Sequence, residues 1–382
     1  MKKFLDCISI VGATPSKFHG TKKYISTGAV ATTEIDESEV VEVTYDEDRP
    51  SRANLSAEAG DILFAKMQGT RKTLLLDSET EKNIYSTGFY AVRANPEVIT
   101  TECLYYLIDS ELFLAQKDKN CSGATQKAIT NGGMAKIEIS VPPLSEQGIL
   151  VDKLKHLTQL IADKKKQLNL FDEIIKSRFI EMFGDPKLNP RKWDMVTIGD
   201  IATDVRYGTS RPATEGGKYP YLRMNNLTYE GHLDLTDLKH IDIPDNEIEK
   251  CVVRNGDVLF NRTNSVELVG KTCVYNLDSD MIIAGYIIRV RIDDRVLPVI
   301  LSSYLNSTVM KEQLRSMAKG AVNQANINAQ ELRSISIYLP PITLQHEFAT
   351  FVEQVDKSKF EIQQSLEKLE ILKKSLMQQY FG

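Results

Sequence analysis

The feature that most constrains the fold is an internal duplication with an offset of about 198 residues. The segment VPPLSEQ at 141–147 is matched by LPPITLQ at 339–345. From there both copies run without a gap to a final Phe-Gly pair, at 183–184 and at 381–382. A shared register and shared ends argue against chance similarity. The chain is therefore expected to fold as two equivalent modules and not as one continuous domain.

Both copies carry a heptad pattern of apolar residues. Spacings of three and four continue without an interior Gly or Pro, which predicts a coiled-coil helix from about 145 to 182 and its equivalent in the second copy. Paired prolines end the preceding strand, and Ser145 or Thr343 is expected to cap the helix. Lys164 and Lys359 at the seam are expected to set register. Because both helices lie in one chain, each is the simplest partner for the other. The predicted pairing residues are Leu154, Leu157, Ile161, Leu168, Phe171, Ile175, Val352, Val355, Ile362, Leu366, Leu369 and Leu376.

The segments ahead of the two helices also correspond. GDILF at 60–64 matches GDVLF at 256–260, and each is a Gly-Asp turn that leads into an apolar strand. A helix is predicted near 101–117 and again near 297–316. Short strands, a helix, and loops rich in Asn, Gly and Thr predict the α+β class for each module.

Composition excludes several classes of protein. No apolar run approaches the roughly 18–20 residues that span a bilayer, so no transmembrane helix is expected. Five cysteines without a CxxC pair favour a reducing cytoplasm over a disulfide framework. The five histidines are scattered, without the short spacings of a zinc site.

The charge distribution bears on nucleic-acid binding. A net charge of −5 argues mildly against it, because phosphate neutralisation usually supplies most of the affinity. Acidic residues are concentrated at 34–48 and 242–249, however, whereas basic residues cluster at 66–72 and 206–223. A surface divided in this way can still offer a positive face.

Catalytic motifs are not found. Gly270-Lys271-Thr272 ends like a P-loop, but Ser265 stands where that motif requires glycine. The sequence also lacks an Asn-Pro-Pro-aromatic methyltransferase motif and a convincing GxGxxG. A nuclease or NTPase is therefore disfavoured.

Taken in order, these motifs resemble the specificity subunits of type I restriction-modification systems over essentially the whole chain. The residues that carry the resemblance are GDVLFNRTNSVELVGK at 256–271, YLRMNNL at 221–227, PPLSEQ, PPITLQ, and FGDP at 183–186. The resemblance implies two target-recognition domains, 1–141 and 185–339. Each is followed by a spacer helix, 142–184 and 340–382, and the two helices pair as an antiparallel coiled coil.

The same resemblance implies function and partners. The chain would be a non-catalytic, sequence-specific subunit that reads a bipartite site in double-stranded DNA. Two methyltransferase subunits would dock on it and bind S-adenosylmethionine, whereas this chain would bind no cofactor. Whether two restriction (translocase-nuclease) subunits join stays open. The alternatives are a related system whose partner fuses methyltransferase and nuclease, and a coiled-coil scaffold that binds no DNA.

Candidate DNA contacts lie in loops whose residue types suit bases and phosphates. Arg pairs with guanine edges, Asn with adenine edges, and basic or Gly-containing loops suit the backbone. The alternatives are turn capping, a solvated loop and a hairpin bend. The second-module candidates are Arg206, Tyr207, Thr209, Arg211, Arg223, Asn225, Asn226, Asn261, Arg262, Asn264, Lys319, Asn323 and Gln324. The first-module candidates are Lys66, Gln68, Arg71, Lys72 and Lys127.

Overall fold

The chain divides into two compact units. The computed structural model describes residues 1–321 and 324–382, with the main chain only at 319–321 and 324. Unit 1 consists of Met1–Lys165 and Gln364–Gly382, and unit 2 of Lys166–Gln363. In the described chain, no helix is both long and apolar enough to cross a membrane.

Unit 1 contains short strands followed by helices. Its strands are β1 (Lys2–Lys3), β2 (Ile8–Val11), β3 (Lys22–Ile25), β4 (Val30–Ala31), β5 (Glu34–Ile35), β6 (Val41–Val43), β7 (Ala53–Leu55), β8 (Ile62–Ala65), β9 (Thr73–Leu75), β10 (Ile84–Ser86), β11 (Phe89–Ala94) and β12 (Glu138–Ile139). Its helices are α1 (Thr101–Ile108), α2 (Glu111–Lys119), α3 (Asn131–Met134) and the first part of α4 (Leu144–Phe183). The last part of α10 (Ile342–Phe381) also belongs to it.

Two four-stranded sheets form the body of unit 1. Their strand orders are β6-β3-β10-β7 and β2-β11-β8-β9. The first contains one parallel pair, β3 with β10, and the second is antiparallel throughout. Phe4, Phe64 and Phe113 pack edge to face or tilted beneath the second sheet, with ring centroids 4.9–6.4 Å apart. Aromatic side chains of this size supply much of a small domain's apolar burial.

Unit 2 repeats this order of elements. Its strands are β13 (Asp194–Thr197), β14 (Ala202–Tyr207), β15 (Tyr219–Leu222), β16 (Lys239–Ile241), β17 (Val252–Val253), β18 (Val258–Asn261), β19 (Thr263–Asn264), β20 (Thr272–Val274), β21 (Met281–Ile283), β22 (Ile287–Ile292), β23 (Lys319–Ala321), β24 (Gln324–Asn326) and β25 (Ser336–Leu339). Its helices are α5 (Ile198–Ile201), α6 (Asp245–Cys251), α7 (Pro298–Asn306), α8 (Thr308–Met317) and α9 (Ala329–Arg333), together with the remaining parts of α4 and α10.

The sheets of unit 2 have the topology of those in unit 1. The orders are β16-β15-β21-β17, with one parallel pair between β15 and β21, and the antiparallel β14-β22-β18-β20. In both units a short antiparallel pair, β1 with β12 or β13 with β25, comes just before the long helix. The duplication seen in the sequence is therefore a duplication of fold, and the predicted α+β class is confirmed.

The Gly-Asp turns of the repeat have a structural role. Asp61 and Asp257 are buried, and each binds an arginine on the neighbouring strand: Arg93 at 2.6 Å and Arg291 at 2.8 Å. Each carboxylate also accepts a hydrogen bond from a main-chain N–H of its own turn. A buried carboxylate needs such partners, so the same pair was retained in both copies.

The single helices predicted near 101–117 and 297–316 are each two helices. The break falls at Ser110 in unit 1 and at Ser307 in unit 2. Both serines accept a hydrogen bond from the main-chain N–H three residues later, at 3.1 Å and 3.4 Å. A serine that caps a new helix start ends the previous one, and the apolar periodicity did not reveal this.

The two long helices, α4 and α10, contain 40 residues each, about 60 Å at 1.5 Å per residue. They begin directly after Pro143 and Pro341, whose carbonyls accept the first helical hydrogen bonds. Ser145 and Thr343 therefore lie within the first turn, and the expectation that they cap the helices is wrong. Proline suits this position because it lacks the N–H that a helix start leaves unsatisfied.

The antiparallel pairing of the helices is confirmed within each unit. In unit 1 the start of α4 (Leu150, Leu154) packs into one core with the end of α10 (Met377, Phe381). In unit 2 the end of α4 packs against the start of α10, where Phe179 lies 5.5 Å from Phe348 between ring centroids. The twelve predicted pairing positions are all buried or half-buried.

The seam of the helix pair differs between the two units. In unit 2 it contains a half-buried charge cluster: Asp172 of α4 binds Lys359 of α10 at 2.6 Å and His232, in the domain between the two helices, at 2.8 Å. In unit 1 the corresponding stretch carries an ion pair between Lys165 and Glu370 at 3.1 Å, with both side chains about half exposed. Lys359 thus has the across-seam carboxylate partner that a register-setting residue requires.

A glutamine fastens the start of each long helix to the domain before it. Gln147 and Gln345 are fully buried. The side chain of Gln147 accepts from the Thr100 N–H at 2.7 Å and donates to the Val98 and Pro142 carbonyls at 3.0 and 2.9 Å. Gln345 makes the same three contacts with the main chain, at Leu297, Arg295 and Pro340. This explains why PPxxxQ recurs in both copies.

Candidate nucleic-acid interface

The predicted segment Asn261–Asn264 begins at the last residue of β18, an interior strand of its sheet. Asn261 is fully buried, donates to the Thr263 and Tyr286 carbonyls at 3.2 and 3.1 Å, and accepts from Asn264 at 2.9 Å. Its side chain therefore holds the loop and does not face a ligand. Arg262 is half-buried, with its guanidinium 4.7 Å from the centre of the Tyr207 ring.

A three-stranded sheet brings the predicted hairpin beside this segment. Its order is β19-β24-β23, so Thr263 lies opposite Asn326. The strands on either side of the loop, β23 and β24, pair antiparallel, as the hairpin alternative requires. Of the predicted contacts here, Asn323 lies outside the described residues, as do the side chains of Lys319 and Gln324.

The basic loop that follows β14 packs against the same segment. The Tyr207 hydroxyl accepts from the Ala329 N–H at 2.7 Å, and its ring is 41% exposed. Thr209 is buried and accepts from the Arg211 N–H. Arg206 and Arg211 are exposed, but they bind Asp204 at 2.8 Å and Glu247 at 2.7 Å, so both charges are already paired within unit 2.

The segment YLRMNNL contains one exposed and one buried asparagine. Asn225 is exposed. Asn226 is buried, where it accepts from the Arg223 N–H at 2.8 Å and donates to the Asp234 carbonyl at 2.7 Å. Arg223 binds the exposed Asp237 at 2.7 Å. The turn-capping alternative therefore describes Asn226, whereas Asn225 and Arg223 stand where a ligand could reach them.

Unit 1 brings three of its predicted residues together. Lys66 follows β8 as Arg262 follows β18, and its ammonium lies 4.4 Å from the centre of the Tyr90 ring. The Gln68 N–H donates to the Lys127 carbonyl at 3.0 Å, and both side chains are exposed. Bridges of Ala128 with Met67 and with Ser122 form the counterpart of the three-stranded sheet in unit 2.

Arg71 and Lys72 have internal partners. Arg71 makes two hydrogen bonds of 2.9 Å to the buried Asp109, which raises the pKa of the arginine above its usual value. Lys72 donates to the Thr27 carbonyl at 2.5 Å. The equivalent Lys271 donates to the Met224 carbonyl at 2.8 Å, so this lysine fastens a loop in both units. Both unit 1 side chains are half-buried.

Lys66 and Arg262 occupy equivalent main-chain positions. The Lys66 N–H donates to the Gly88 carbonyl in the turn before β11, and the Lys66 carbonyl accepts from the Ile129 N–H. In the same way, the Arg262 N–H donates to the Tyr286 carbonyl in the turn after β21, and the Arg262 carbonyl accepts from the Ile327 N–H. Each cation donates to one more carbonyl, Lys66 to Thr87 at 2.8 Å and Arg262 to Gly285 at 3.4 Å. Burial lowers the pKa of Lys66.

Neither of these cations has a carboxylate partner among the described contacts, and the Arg262 Nε is buried without a hydrogen-bond acceptor. An unpaired donor of this kind needs an explanation, and an incoming acceptor would supply one. These two positions are thus the strongest candidates for contact with an anionic or hydrogen-bonding ligand.

Sequence reasoning missed Tyr90 and Tyr286 beside the two cations, and it missed the role of Tyr207. Tyr90 and Tyr207 lie beneath the two cations, and Tyr286 is 50% exposed in the turn that receives the Arg262 N–H. Tyr207 was predicted, but as a sugar or phosphate contact and not as a support for Arg262. The signal for Tyr286 was its place in the Gly-Tyr turn between two apolar strands. No group of acids, histidines or cysteines that could hold a metal occurs in the described part of the chain.

The comparisons with known proteins agree with this architecture. The family described as "Type I restriction modification DNA specificity domain" matches residues 11–170 and again 190–373. The type I restriction enzyme EcoKI specificity subunit of Escherichia coli K12 is 24% identical over 314 residues, which is 77% of this chain and 67% of that protein. The StySPI specificity subunit of Salmonella potsdam is 23% identical over 344 residues, 84% of this chain and 74% of that protein.

Solved structures share the fold. A chain from a structure of a type I restriction-modification system, concerned with complex assembly and conformational transition, has a TM-score of 0.56 at 22% identity and covers 98% of this chain and 97% of its own. The S subunit of a type I system from M. genitalium has a TM-score of 0.51 at 14% identity, covering 100% of this chain and 95% of its own. With the family matched twice, once in each copy of the repeat, this chain belongs to the DNA specificity family of type I restriction-modification systems.

Proposed function

We propose that this chain reads a bipartite DNA site, with one domain for each half. The observation that carries the proposal is the equivalence of Lys66 and Arg262, two cations without a carboxylate partner at the same place in a duplicated fold. In this proposal the recognition domains are 1–141 and 185–339, and the spacer helices are 142–184 and 340–382. Base contacts come from loops on a rigid sheet, a common arrangement for recognition.

The helix pair would set the distance between the half-sites. Each helix is about 60 Å long, or somewhat more than one and a half turns of B-DNA. Antiparallel pairing of the two helices would hold the two recognition domains with opposite polarity on the same duplex. A fixed spacer between the half-sites is the expected consequence.

Partner subunits would carry out the chemistry. The EcoKI and StySPI relatives are subunits of restriction enzymes, which supports assembly of this chain with other subunits. The proposed partners are two methyltransferase subunits, which would bind S-adenosylmethionine. The chain itself would bind no cofactor and catalyse no reaction. Two restriction subunits would join in systems that also cleave, or a single fused methyltransferase-nuclease would replace both. Such an assembly works on chromosomal DNA in the cytoplasm.

Selection from random duplexes tests the proposal. The native complex, isolated through a tag on this chain, should enrich a split motif with a constant spacer, and the chain alone should bind the same pool weakly. Mass spectrometry of the complex would distinguish separate methyltransferase and restriction subunits from a fused partner. If the complex enriches no motif yet contains abundant other proteins, the result would favour the scaffold alternative over DNA recognition.

A further inference from the structure

A small cavity in unit 2 brings three cations together. It has a volume of about 80 Å³ and is lined by Lys176, Tyr229, Asn306, Thr308, Lys311, Glu312 and Arg315, which we call the α8 pocket. Because one water molecule takes about 30 Å³ in the liquid, the α8 pocket has room for a few waters or for one small oxyanion. One carboxylate, that of Glu312, faces three basic side chains.

Lys311 is the deepest of the three cations. It is 5% exposed, donates to the Tyr229 carbonyl, and its ammonium lies 3.5 Å from the centre of the Tyr229 ring. No ion pair to it is found in the described residues. Burial lowers its pKa to about 7. A buried ammonium without a carboxylate partner is costly, and an incoming anion would offset that cost.

Arg315 and Lys176 complete the basic wall. Arg315 donates to the Tyr229 hydroxyl at 2.8 Å and to the Glu267 carbonyl at 3.5 Å, both of them neutral acceptors. Lys176 reaches Glu173 on its own helix at 2.8 Å, in an exposed pair that contributes little. Among the described residues Lys311 and Arg315 therefore make no ion pair, although the charges of Glu230 and Glu267 act on them through space.

The position of the pocket points to the identity of the anion. Glu267, whose carbonyl Arg315 contacts, lies three residues after Asn264 in the loop that leaves the candidate interface. Phosphate contacts beside a base-reading loop fix the register of a protein on DNA without reading sequence.

We propose that the α8 pocket binds a phosphate group and that a backbone phosphate of the duplex fills it when unit 2 reads its half-site. The identity of the source rests on the proposed function. The phosphate chemistry itself rests on Lys311, Arg315 and Lys176. A free phosphate is the other source of the same group, and the experiment below separates the two.

The first arm measures duplex affinity of the native complex against salt concentration. Arg315→Gln and Lys311→Met should each reduce the slope of log K on log salt by about one, equally for all sequences. Glu312→Gln should tighten binding, because it removes the one carboxylate in the pocket. Lys187→Gln, at an exposed lysine outside the pocket, is the charge-matched control and should leave the slope unchanged.

The second arm measures the melting temperature of the full chain with increasing inorganic phosphate at constant ionic strength. Stabilisation that Arg315→Gln abolishes, with an unaltered DNA slope, would assign the pocket to free phosphate. If the chain binds no DNA in any assay but phosphate still stabilises it, the α8 pocket is a phosphate site and the proposed DNA recognition is wrong. An unchanged DNA slope together with no effect of phosphate would overturn the proposal. Arg315 is partly exposed, so its variant tests the idea even if Lys311→Met fails to fold.

Discussion

Unit 1 and unit 2 share their topology but differ in the side chains that end equivalent strands. The two units have the same sheet orders, the same Asp–Arg pair at the Gly-Asp turn and the same glutamine at the helix start. At the loop after β8 or β18, Lys66 stands in one unit and Arg262 in the other, each over a tyrosine from a different strand. The contacts that the two units share maintain the fold of each recognition domain, whereas the side chains that differ lie where each domain would contact its DNA.

The helix pair shows the same contrast. Its unit 1 half has an exposed Lys165–Glu370 pair, whereas in its unit 2 half Asp172 is half-buried between Lys359 and His232. Burial raises the pKa of Asp172, but the hydrogen bonds from His232 and Lys359 outweigh it, so that the pKa is lowered overall. The charge cluster makes two otherwise similar halves distinguishable.

Exchange of a whole reader is the largest expected change. Replacing residues 1–141 by the equivalent domain of a relative should replace one half-site entirely and leave the other half intact, because each unit has its own core and its own loops. Methylome sequencing of cells that carry the chimaera measures both halves at once. The reciprocal exchange of 185–339 is the control, and a change in both halves from either exchange would disprove independent reading.

Removal of the Asp172–Lys359 ion pair should have the largest effect on the free energy of unfolding. Lys359→Ala leaves Asp172 with one partner fewer at a side chain only 15% exposed, and it should lower the free energy of unfolding by about 3 kcal/mol. The matched change in unit 1, Lys165→Ala, should have little measurable effect because that pair is solvated. Denaturant unfolding of both variants gives the comparison, and equal losses would mean that the two halves of the seam are equivalent.

The same cluster predicts a dependence on pH. Because the pKa of Asp172 is lower in the folded chain than its ordinary value of 3.8, its contribution is complete above that value and is lost as the pH falls through the folded pKa. Asp172→Asn should therefore flatten the acid limb of the stability curve. Asp163→Asn, at an exposed residue of the same helix, should leave it unchanged.

The two equivalent cations should affect one half-site each. Arg262→Ala should cost about 1–3 kcal/mol of binding and relax specificity in one half-site if the guanidinium contacts a base. Lys66→Ala should act on the other half-site. Selection from random duplexes with each variant complex measures the specificity, and Lys187→Ala controls for loss of charge. Equal loss on every sequence would assign these cations to phosphates.

The contacts that the two units share should have equal effects in both. Gln147→Ala and Gln345→Ala each leave one buried N–H and two buried carbonyls without their amide partner, a loss of about 1–3 kcal/mol. Thermal unfolding measures both, and conservative Gln→Glu variants test whether the donating NH₂ is needed. A large difference between the two sites would show that the joints are not equivalent.

Much of the architecture could be predicted from the sequence because it is periodic and repeated. The heptads predicted the two long helices and their pairing, and GDxLF and PPxxxQ marked the same places in both modules. The breaks at Ser110 and Ser307 were missed, because a capping serine leaves no trace in the apolar pattern. A single side-chain hydrogen bond decided the helix boundary.

The site was less predictable than the fold. Residue type suggested Asn226, Asn261 and Lys72 as ligand contacts, but all three side chains bind the main chain of neighbouring loops. Asparagine and lysine serve both purposes, and the choice depends on long-range partners that one sequence does not display. Arg262 could be singled out only once Tyr207, 55 positions away in the chain, was seen beneath it.

The glutamine joints have a consequence for how such proteins diversify. The hydrogen bonds of the Gln147 and Gln345 side chains all go to main-chain atoms, so they do not depend on which side chains the preceding domain carries. Recombination between genes just ahead of the sequence for either helix would join a foreign domain to a glutamine that can still make these hydrogen bonds. Whole recognition domains could then be exchanged between genes, and their loops could change in sequence while the glutamine hydrogen bonds to the main chain are kept. A new DNA specificity would thus be inherited in one crossover, with no compensating mutation.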